Sequence, residues 1–503
     1  MNKLTIKPAW KQKGFKFKHT WNQYLNVDQF RWLVRKDMLD QLAVACRELG
    51  GKHVRAVGIL DDELRVAGPI IGGQTYRKKD PVFNWQIVDY IIDNLLEIGV
   101  KPVITPTFIP SRLASGKQTV FTTNGIVSPP RKMRDWTELV TALCSHLRKR
   151  YGAGETRTWY YEVWNEPNLD AFWGGSQNDF FKLWDTVYKA VKGVDPRYRL
   201  GGPSTARCEW IRPFVKYASR KKMIPDYMIS HIYNNDGESG ALSPFAGLQT
   251  HKQSKNLNFA KRCMKGVKNY LDEINFKGEL HFNEWGRSWL PVDPVRETAY
   301  EAAYICKTMN EVSQDADYFA YWCLSDIYDQ AGYGAAAFHG NYGMLSLQGL
   351  RKPSYMAHLL LNMLGCRRYD INGEGLSPLQ NAIVTDCEKE YSILVHSMQP
   401  EYAPRSKPDP LKVKLCLPEK YSAKTVCVFT IDVKHNNIIH DWQKAGAPAQ
   451  LTPAMTRKLA DKNFPVAEQS GLKVSKEKDG YYLEFRMASP GVRLVKIKKS
   501  GSA

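Results

Sequence analysis

No Cys-x-x-C motif occurs in this sequence, and none of its ten cysteines stands at metal-ligand spacing from a histidine. No stretch approaches the roughly 18 uncharged apolar residues that a transmembrane helix requires. The N-terminus is basic, but no apolar segment follows it, so no signal peptide is predicted. From these absences we predict that the protein has no metal site, needs no cofactor and has no membrane partner. They favour a reducing, cytoplasmic compartment, unless a leader sequence has been removed.

Acidic side chains are scarce relative to basic ones, and the net charge is +20. Such a balance raises the expectation of an acidic partner, such as nucleic acid or an acidic polysaccharide. The basic residues are scattered along the chain, however, and no nucleic-acid-binding motif accompanies them. We therefore interpret the charge as solvated surface and predict no nucleic-acid partner.

The pattern between about residues 15 and 365 predicts a (β/α)₈ barrel, because short β-rich runs alternate with amphipathic helical stretches. A doubly wound open sheet is disfavoured, since no Gly-rich phosphate loop follows the first run. Ile87, Ile91, Leu95 and Ile98 illustrate the helical spacing. The predicted barrel strands are 15–20, 53–60, 102–108, 159–164, 199–202, 227–233, 279–283 and 318–324.

After residue 365 the helical spacing gives way to β-rich runs separated by turn residues, which is typical of a β-sandwich. We therefore predict a barrel domain over residues 1–365 and an accessory sandwich domain over residues 366–503. The predicted sandwich strands are 382–384, 391–396, 411–417, 425–432, 472–475, 481–486 and 492–497.

Two glutamates stand where predicted barrel strands end. Glu166 follows the apolar run 159–164, and Pro167 should end that strand because it cannot donate a ladder hydrogen bond. Glu284 ends the run that begins at 279. These are strands four and seven, which face each other across the barrel mouth, and barrel enzymes keep their chemistry at that end. Glu162 lies about 13 Å further down the barrel by strand rise, so we expect it in the core network.

Paired carboxylates across a cleft suit glycoside hydrolysis, in which one protonates the leaving oxygen and the other attacks the anomeric carbon. Over nearly its whole length, the chain resembles glycoside hydrolase family 39, the β-xylosidase and α-L-iduronidase family. The likeness is to the β-xylosidase branch. Asn165-Glu166-Pro167 alone indicates only the larger clan of retaining barrel enzymes. The family likeness rests on the two carboxylate motifs together with 55–62, 201–203, 230–233, 321–326, 338–345, 431–442 and 446–448.

The resemblance implies a retaining exo-glycosidase that acts on an oligosaccharide or glycoside and releases a terminal neutral sugar. Glu166 would be the general acid/base and Glu284 the nucleophile. Asn165 would hydrogen-bond the sugar 2-hydroxyl, a contact that strengthens in the transition state. His231, Tyr233 and Trp322 would line the −1 subsite. Within that set, the Tyr233 hydroxyl would donate to the nucleophile and Trp322 would form the apolar floor.

Two departures from the family pattern concern the sugar that is recognised. Val57 stands where the family's xylosidases usually carry His, so another glycone, such as galactose or arabinose, is an alternative. Ile232 and Tyr233 stand where the iduronidase branch carries basic residues, which weakens a uronidase on an acidic polysaccharide. Of the remaining basic candidates, we expect Arg55 to be a buried carboxylate partner and Arg287 to lie on a loop.

A non-catalytic carbohydrate-binding protein is the alternative from another class, and the retention of both glutamates argues against it. The sequence is compatible with a homo-oligomer.

Overall fold

The computed structural model describes residues 3–68, 83–239, 257–330, 332, 334–402, 410–419, 421, 426–468 and 472–500. Its strands are β1 (Lys3–Pro8), β2 (Phe15–Lys16), β3 (Tyr24–Gln29), β4 (His53–Val57), β5 (Lys101–Ile104), β6 (Thr119–Val120), β7 (Gly125–Ile126), β8 (Tyr160–Glu162), β9 (Arg199–Thr205), β10 (Tyr227–Tyr233), β11 (Glu279–Gly286), β12 (Tyr318–Tyr321), β13 (Arg367–Tyr369), β14 (Ile371–Asn372), β15 (Gln380–Asp386), β16 (Glu390–Ser397), β17 (Leu411–Cys416), β18 (Cys427–Ile431), β19 (Lys473–Glu477), β20 (Gly480–Met487) and β21 (Gly491–Lys498). Its α-helices are α1 (Lys36–Leu49), α2 (Gln86–Ile98), α3 (Met133–Thr156), α4 (Gln177–Val194), α5 (Ile211–Lys221), α6 (Phe259–Glu273), α7 (Ala299–Val312), α8 (Pro353–Asn362), α9 (Ile438–Lys444) and α10 (Pro453–Ala460).

Eight parallel strands form the central sheet in the order β3-β4-β5-β8-β9-β10-β11-β12, and a helix from α1 to α8 follows each of them. The sheet closes on itself, because the Leu324 N–H donates to the Asn26 carbonyl at 2.9 Å. The Asn26 Nδ2 also donates to the carbonyl of Asn283 in β11 at 2.8 Å. The expected (β/α)₈ barrel is thereby confirmed.

The helices begin and end where local chemistry favours it. Ser176 and Asp179 form a reciprocal capping box at the start of α4, which satisfies backbone N–H groups that the helix leaves unpaired. Gly99 ends α2 in the left-handed conformation with φ of 91°, where a side chain would cost energy. None of the helices within the described ranges is long and apolar enough to cross a membrane.

The first barrel strand differs from the prediction. Residues 15–20 contribute only the two-residue strand β2, which pairs with β13 outside the barrel. Tyr24–Gln29 forms the barrel strand instead, and all six of its residues are buried. Its buried polar residues Asn26, Asp28 and Gln29 broke the apolar pattern on which the prediction relied.

The C-terminal strands form two facing sheets, in the orders β14-β1-β17-β20-β19 and β18-β21-β16-β15-β13-β2. All seven predicted sandwich strands are present with shifted ends. The N-terminal residues also belong here, because β1 pairs in parallel with β17 and buries Leu4 and Ile6 completely. The first strands of the chain therefore lie in the sandwich, although the predicted barrel domain began at residue 1.

Candidate active site

Glu166 and Glu284 come together at the carboxyl end of the barrel. Glu166 follows β8 and Glu284 lies in β11, the fourth and seventh barrel strands. One oxygen of Glu166 and one of Glu284 lie within 4.8 Å of each other. Glu166 is 8% exposed and Glu284 is 5% exposed. Both carboxyl groups are therefore largely buried, and electrostatic interactions there are stronger than in bulk water.

The backbone turns sharply at Glu166. Its φ is 49°, a left-handed conformation that costs a non-glycine residue roughly 1–2 kcal/mol. The Glu166 N–H donates to the Ser204 carbonyl of β9 at 2.8 Å, which holds the turn in place. Pro167 follows and carries no N–H with which to continue the ladder. The strand thus ends in a fixed turn from which Glu166 reaches the cavity.

Glu284 is held by hydrogen bonds at both carboxylate oxygens. The Arg55 Nη1 donates to Oε1 at 2.7 Å, and the Tyr233 hydroxyl donates to Oε2 at 3.0 Å. The His231 Nδ1 lies 3.6 Å from Oε1. Burial raises the pKa of Glu284, while His231 and Arg55 oppose that rise. These donors favour the ionised form of Glu284.

Within the described residues, no lysine or arginine contacts the Glu166 carboxyl group directly. Its polar neighbour is the His231 Nδ1, at 3.0 Å from Oε1. Burial lowers the pKa of His231 to about 4, so the imidazole is neutral at pH 7. Burial raises the pKa of Glu166 to about 7, and Arg55 and Arg207 offset only part of that rise. Glu166 therefore keeps its proton up to about neutral pH, as a general acid must.

Arg55 links the cavity to the barrel core. It is fully buried, and its Nε and Nη2 donate to the two oxygens of Glu162 at 2.8 and 2.9 Å. Its Nη2 also donates to the Asn165 Oδ1 at 2.8 Å, which leaves the Asn165 amide nitrogen as the donor to a ligand. The expectations that Arg55 is a buried carboxylate partner and that Glu162 belongs to the core network are confirmed.

A cavity of about 560 Å³ opens above the two carboxylates, within the size range of small-molecule sites. Asn165, Tyr233 and Trp322 line it together with the glutamates. Trp322 directly follows β12 and packs against Tyr233. His231 differs from the expected placement, because it is fully buried and contacts both glutamates rather than lining the cavity.

Much of the lining was not anticipated, because it comes from loops that have no hydrophobic periodicity. Val57, which marked the departure from the family pattern, does reach the cavity. The unanticipated lining residues are Val120, Phe121, Leu169, Ala171, Phe172, Ala206, Arg207, Asp236, Trp289, Pro291, Tyr328, Gln330 and Tyr342.

Arg287 does not face this cavity as a free cation. Its Nε donates to Glu301 at 2.7 Å, and its Nη2 donates to Asp293. Both of these carboxylates are buried, so the guanidinium is already neutralised inside the protein.

Only one group of side chains in the described residues brings three metal-ligand atoms close together, namely Glu166, His231 and Glu284. Arg55 lies 2.7 Å from Glu284, however, and its positive charge opposes a second cation at that place. The trio therefore suits proton transfer and nucleophilic attack better than metal binding.

Comparison with known proteins agrees with this geometry. A β-xylosidase from Caldicellulosiruptor saccharolyticus is 33% identical over 430 residues, which covers 85% of this chain and 84% of that protein. A β-xylosidase from Geobacillus stearothermophilus is 29% identical over 86% of this chain and 84% of its own length. The crystal structure of a monomeric β-xylosidase from Caulobacter crescentus CB15 matches with a TM-score of 0.82 and 27% identity, over 99% of this chain and all of that one. The sequence model described as glycosyl hydrolases family 39 matches residues 3–481. The chain is therefore a glycoside hydrolase that belongs to family 39.

Proposed function

We propose that this chain is a retaining exo-β-xylosidase that releases a terminal neutral sugar by double displacement. The observation that carries the proposal is the pair of glutamates with different protonation requirements, whose nearest oxygens lie within 4.8 Å. Retaining glycosidases hold their two carboxyl groups about 5–5.5 Å apart, whereas inverting enzymes need about 6.5–9.5 Å to admit water. Glycone identity rests on the curated relatives that are named β-xylosidases.

In the first step, the Glu284 carboxylate attacks the anomeric carbon while Glu166 gives its proton to the departing glycosidic oxygen. The bond between the sugar and the leaving group breaks, and a glycosyl ester on Glu284 forms. The ester carries no charge, so the pKa of Glu166 falls when the neighbouring carboxylate is consumed. Glu166 can then act as the base that takes a proton from water in the second step, and hydrolysis of the ester regenerates Glu284.

The remaining predicted residues have supporting roles in this proposal. Asn165 donates from its amide nitrogen to the sugar 2-hydroxyl, because Arg55 occupies its oxygen at 2.8 Å. Tyr233 holds the nucleophile from one side, and Trp322 offers an apolar face beneath the sugar ring. The His231 imidazole, which is neutral at pH 7, contacts the carboxyl groups of both glutamates.

We also propose the predicted division into a catalytic barrel and an accessory sandwich over residues 366–503, to which the N-terminal strands β1 and β2 also belong. The sandwich packs on α7, the helix that follows the strand carrying Glu284. Arg368 Nη1 donates to the Asn310 carbonyl at 3.1 Å, and the Asn310 Nδ2 lies 3.2 Å from the His396 Nε2. In this role the sandwich supports the barrel wall and does not contribute to the chemistry.

A second candidate is the same mechanism on another neutral glycone, such as a galactoside or an arabinoside. Val57 favours it, because this apolar residue lines the cavity where the family's xylosidases usually carry His. A uronide is disfavoured, since Arg287 is neutralised by Asp293 and Glu301. A panel of 4-nitrophenyl glycosides (β-xyloside, arabinosides, galactoside, iduronide) separates these substrates by which one turns over.

Two variants test the assigned roles. Glu284→Ala should abolish turnover of every substrate. Glu166→Ala should still form the glycosyl ester from an activated aryl glycoside, because a good leaving group needs no acid. Added azide should then accelerate its breakdown and yield the β-glycosyl azide from a β-glycoside. Proton NMR of the first product formed by the wild type should show retained configuration. Identical behaviour of the two variants with azide, or an inverted first product, would exclude the proposed mechanism.

A further inference from the structure

The cavity has a polar floor at the two carboxylates, and its outer part carries a group of apolar side chains beside polar ones such as Arg207 and Gln330. The floor carries Asn165, Glu166 and Glu284, each at most 8% exposed. The apolar group, which we name the apolar rim, lies nearer to solvent. The apolar rim consists of Val120, Phe121, Leu169, Ala171, Phe172 and Trp289.

The rim is a built surface whose side chains support one another. Phe121 stands between β6 and β7, and its ring meets that of Phe172 edge to face with centroids 5.5 Å apart. Trp289 is held at both backbone groups, since its N–H donates to the Asn235 Oδ1 at 3.0 Å and its carbonyl accepts from the Tyr342 hydroxyl. It nevertheless leaves 40% of its surface exposed. An exposed ring on an anchored backbone is typical of a contact surface for a ligand.

The position of the rim relative to Glu166 indicates which part of a substrate it meets. The Leu169 N–H donates to the Glu166 carbonyl at 3.0 Å, and the Phe172 N–H donates to the Leu169 carbonyl at 2.9 Å. The rim residues of this loop are thus tied directly to the acid. A general acid must reach the oxygen that joins the sugar to its leaving group, so the leaving group extends along the side of the cavity that Glu166 serves.

Among the described residues, two polar side chains beside the rim are engaged within the protein. The Gln330 side chain binds both Asp28 and Tyr328, and Asp236 accepts from the Tyr233 N–H at 2.7 Å. Arg207 forms an ion pair with Glu209 at 3.2 Å, but its Nε makes no hydrogen bond to the described residues and could serve one sugar hydroxyl at most. A second sugar in this place would bring several hydroxyl groups against apolar walls. Each hydroxyl that is buried without a partner costs roughly 1–3 kcal/mol, which penalises a sugar but not an apolar group.

We propose that the apolar rim binds an apolar or aromatic aglycone, so that the substrate class is an alkyl or aryl glycoside rather than an oligosaccharide. This inference rests on the proposed function, because it takes Glu166 as the acid. It narrows that function to glycosides whose leaving group has a hydrophobic face of about one ring or one short alkyl chain.

A series of alkyl glycosides tests the inference without changing the chemistry. Methyl, butyl and hexyl glycosides leave as alcohols of similar acidity, so differences in kcat/KM report contacts with the chain. The series is made on the glycone that turns over as its 4-nitrophenyl glycoside. We expect kcat/KM to rise about two-fold for each methylene, half the logarithmic gain of complete burial, and about 30-fold from methyl to hexyl. The disaccharide of the same glycone should have less than a tenth of the hexyl value.

Two rim variants and one control complete the test. Phe172→Ala and Trp289→Ala, on different loops, should each lower the hexyl-to-methyl ratio at least about five-fold. Phe464→Ala truncates a ring that is 50% exposed and does not line the cavity, so it should leave the ratio unchanged. A methyl-to-hexyl gain below two-fold, a ratio that neither rim variant changes, or a preference for the disaccharide would overturn the inference while the proposed function stands. Failure to hydrolyse any 4-nitrophenyl glycoside would instead refute the proposed function, and the inference with it.

Discussion

Replacing Glu166 by glutamine removes one buried titratable group and preserves its shape. Burial raises the pKa of Glu166 from 4.5 to about 7 in the folded protein. Glutamine resembles the protonated carboxyl group and carries no charge at any pH. The stability of Glu166→Gln should therefore diverge from that of the wild type only at pH values where the wild-type carboxyl group loses its proton.

The wild type should lose stability relative to this variant as the pH rises. Below about pH 4.5 the carboxyl group is protonated in both the folded and the unfolded chain, and between about 4.5 and 7 unfolding releases its proton. Unfolding thus becomes easier through that window, and the loss is complete above about pH 7. A pKa rise of about 2.5 units corresponds to about 3 kcal/mol, of which about 2.5 kcal/mol falls between pH 5 and pH 8.

Urea unfolding at several pH values between 5 and 8, followed by tryptophan fluorescence, measures this difference through the shift in midpoint at constant m value. A surface substitution, Glu484→Gln, provides the matched control, since its carboxylate lies 3.0 Å from the Lys412 ammonium in an exposed pair. The control should differ from the wild type by less than about 1 kcal/mol at every pH. A stability gap between Glu166→Gln and the wild type that stays constant from pH 5 to pH 8 would refute the raised pKa of Glu166.

Four further predictions concern the same network. The kcat/KM of the wild type should fall as the pH rises through about 7, because the acid form of Glu166 is lost; a pH profile without this limb would contradict its role. Tyr233→Phe should lower kcat about 10- to 100-fold by removing the 3.0 Å hydrogen bond to Glu284, with the alkaline limb unmoved, as steady-state kinetics against pH will measure. Arg55→Ala should lower the free energy of unfolding by about 3–5 kcal/mol, because it leaves Glu162 buried without its cation; chemical denaturation measures this. Added salt up to about 0.5 M should change kcat/KM on a neutral glycoside less than two-fold, since long-range attraction, already screened beyond about 8 Å at 0.15 M, is not needed for an uncharged substrate.

Barrel strands were predictable from the sequence where their residues are apolar. The run at 227–233 is completely buried in β10, and the run at 279–283 lies within β11. Prediction failed at the first strand, since Asn26 and Asp28 are buried although their residue types suggest a surface. Their burial is tolerated because partners far along the chain bind them: the Asn26 amide donates to the Asn283 carbonyl of β11, and Asp28 accepts from the Gln330 amide. Such long-range partners are invisible in a local pattern.

The positions of Glu166 and Glu284 could be predicted because a residue at the carboxyl end of a barrel strand lies at the barrel mouth. The pairing of Arg55 was predictable for a similar reason, since a cation inside a strand needs a buried anion. The positions of loop residues do not follow from a strand pattern in this way. Phe121 and Trp289 reach the cavity from separate loops after β5 and β11, and their positions depend on contacts that only the folded chain brings together.

Burial alone does not explain why Glu166 and Glu284 should differ in charge, because both are nearly enclosed. The difference lies in which carboxylate the Arg55 guanidinium touches, and its 2.7 Å contact is with Glu284. Glu162 makes this arrangement rigid, since it binds two nitrogens of the planar fork from the opposite side at 2.8 and 2.9 Å. A lysine at position 55 would retain the charge but could not bind Glu162 at two points and reach Glu284 with a third nitrogen. The proposed assignment of acid to one glutamate and nucleophile to the other therefore depends on the guanidinium of Arg55, which is fully buried.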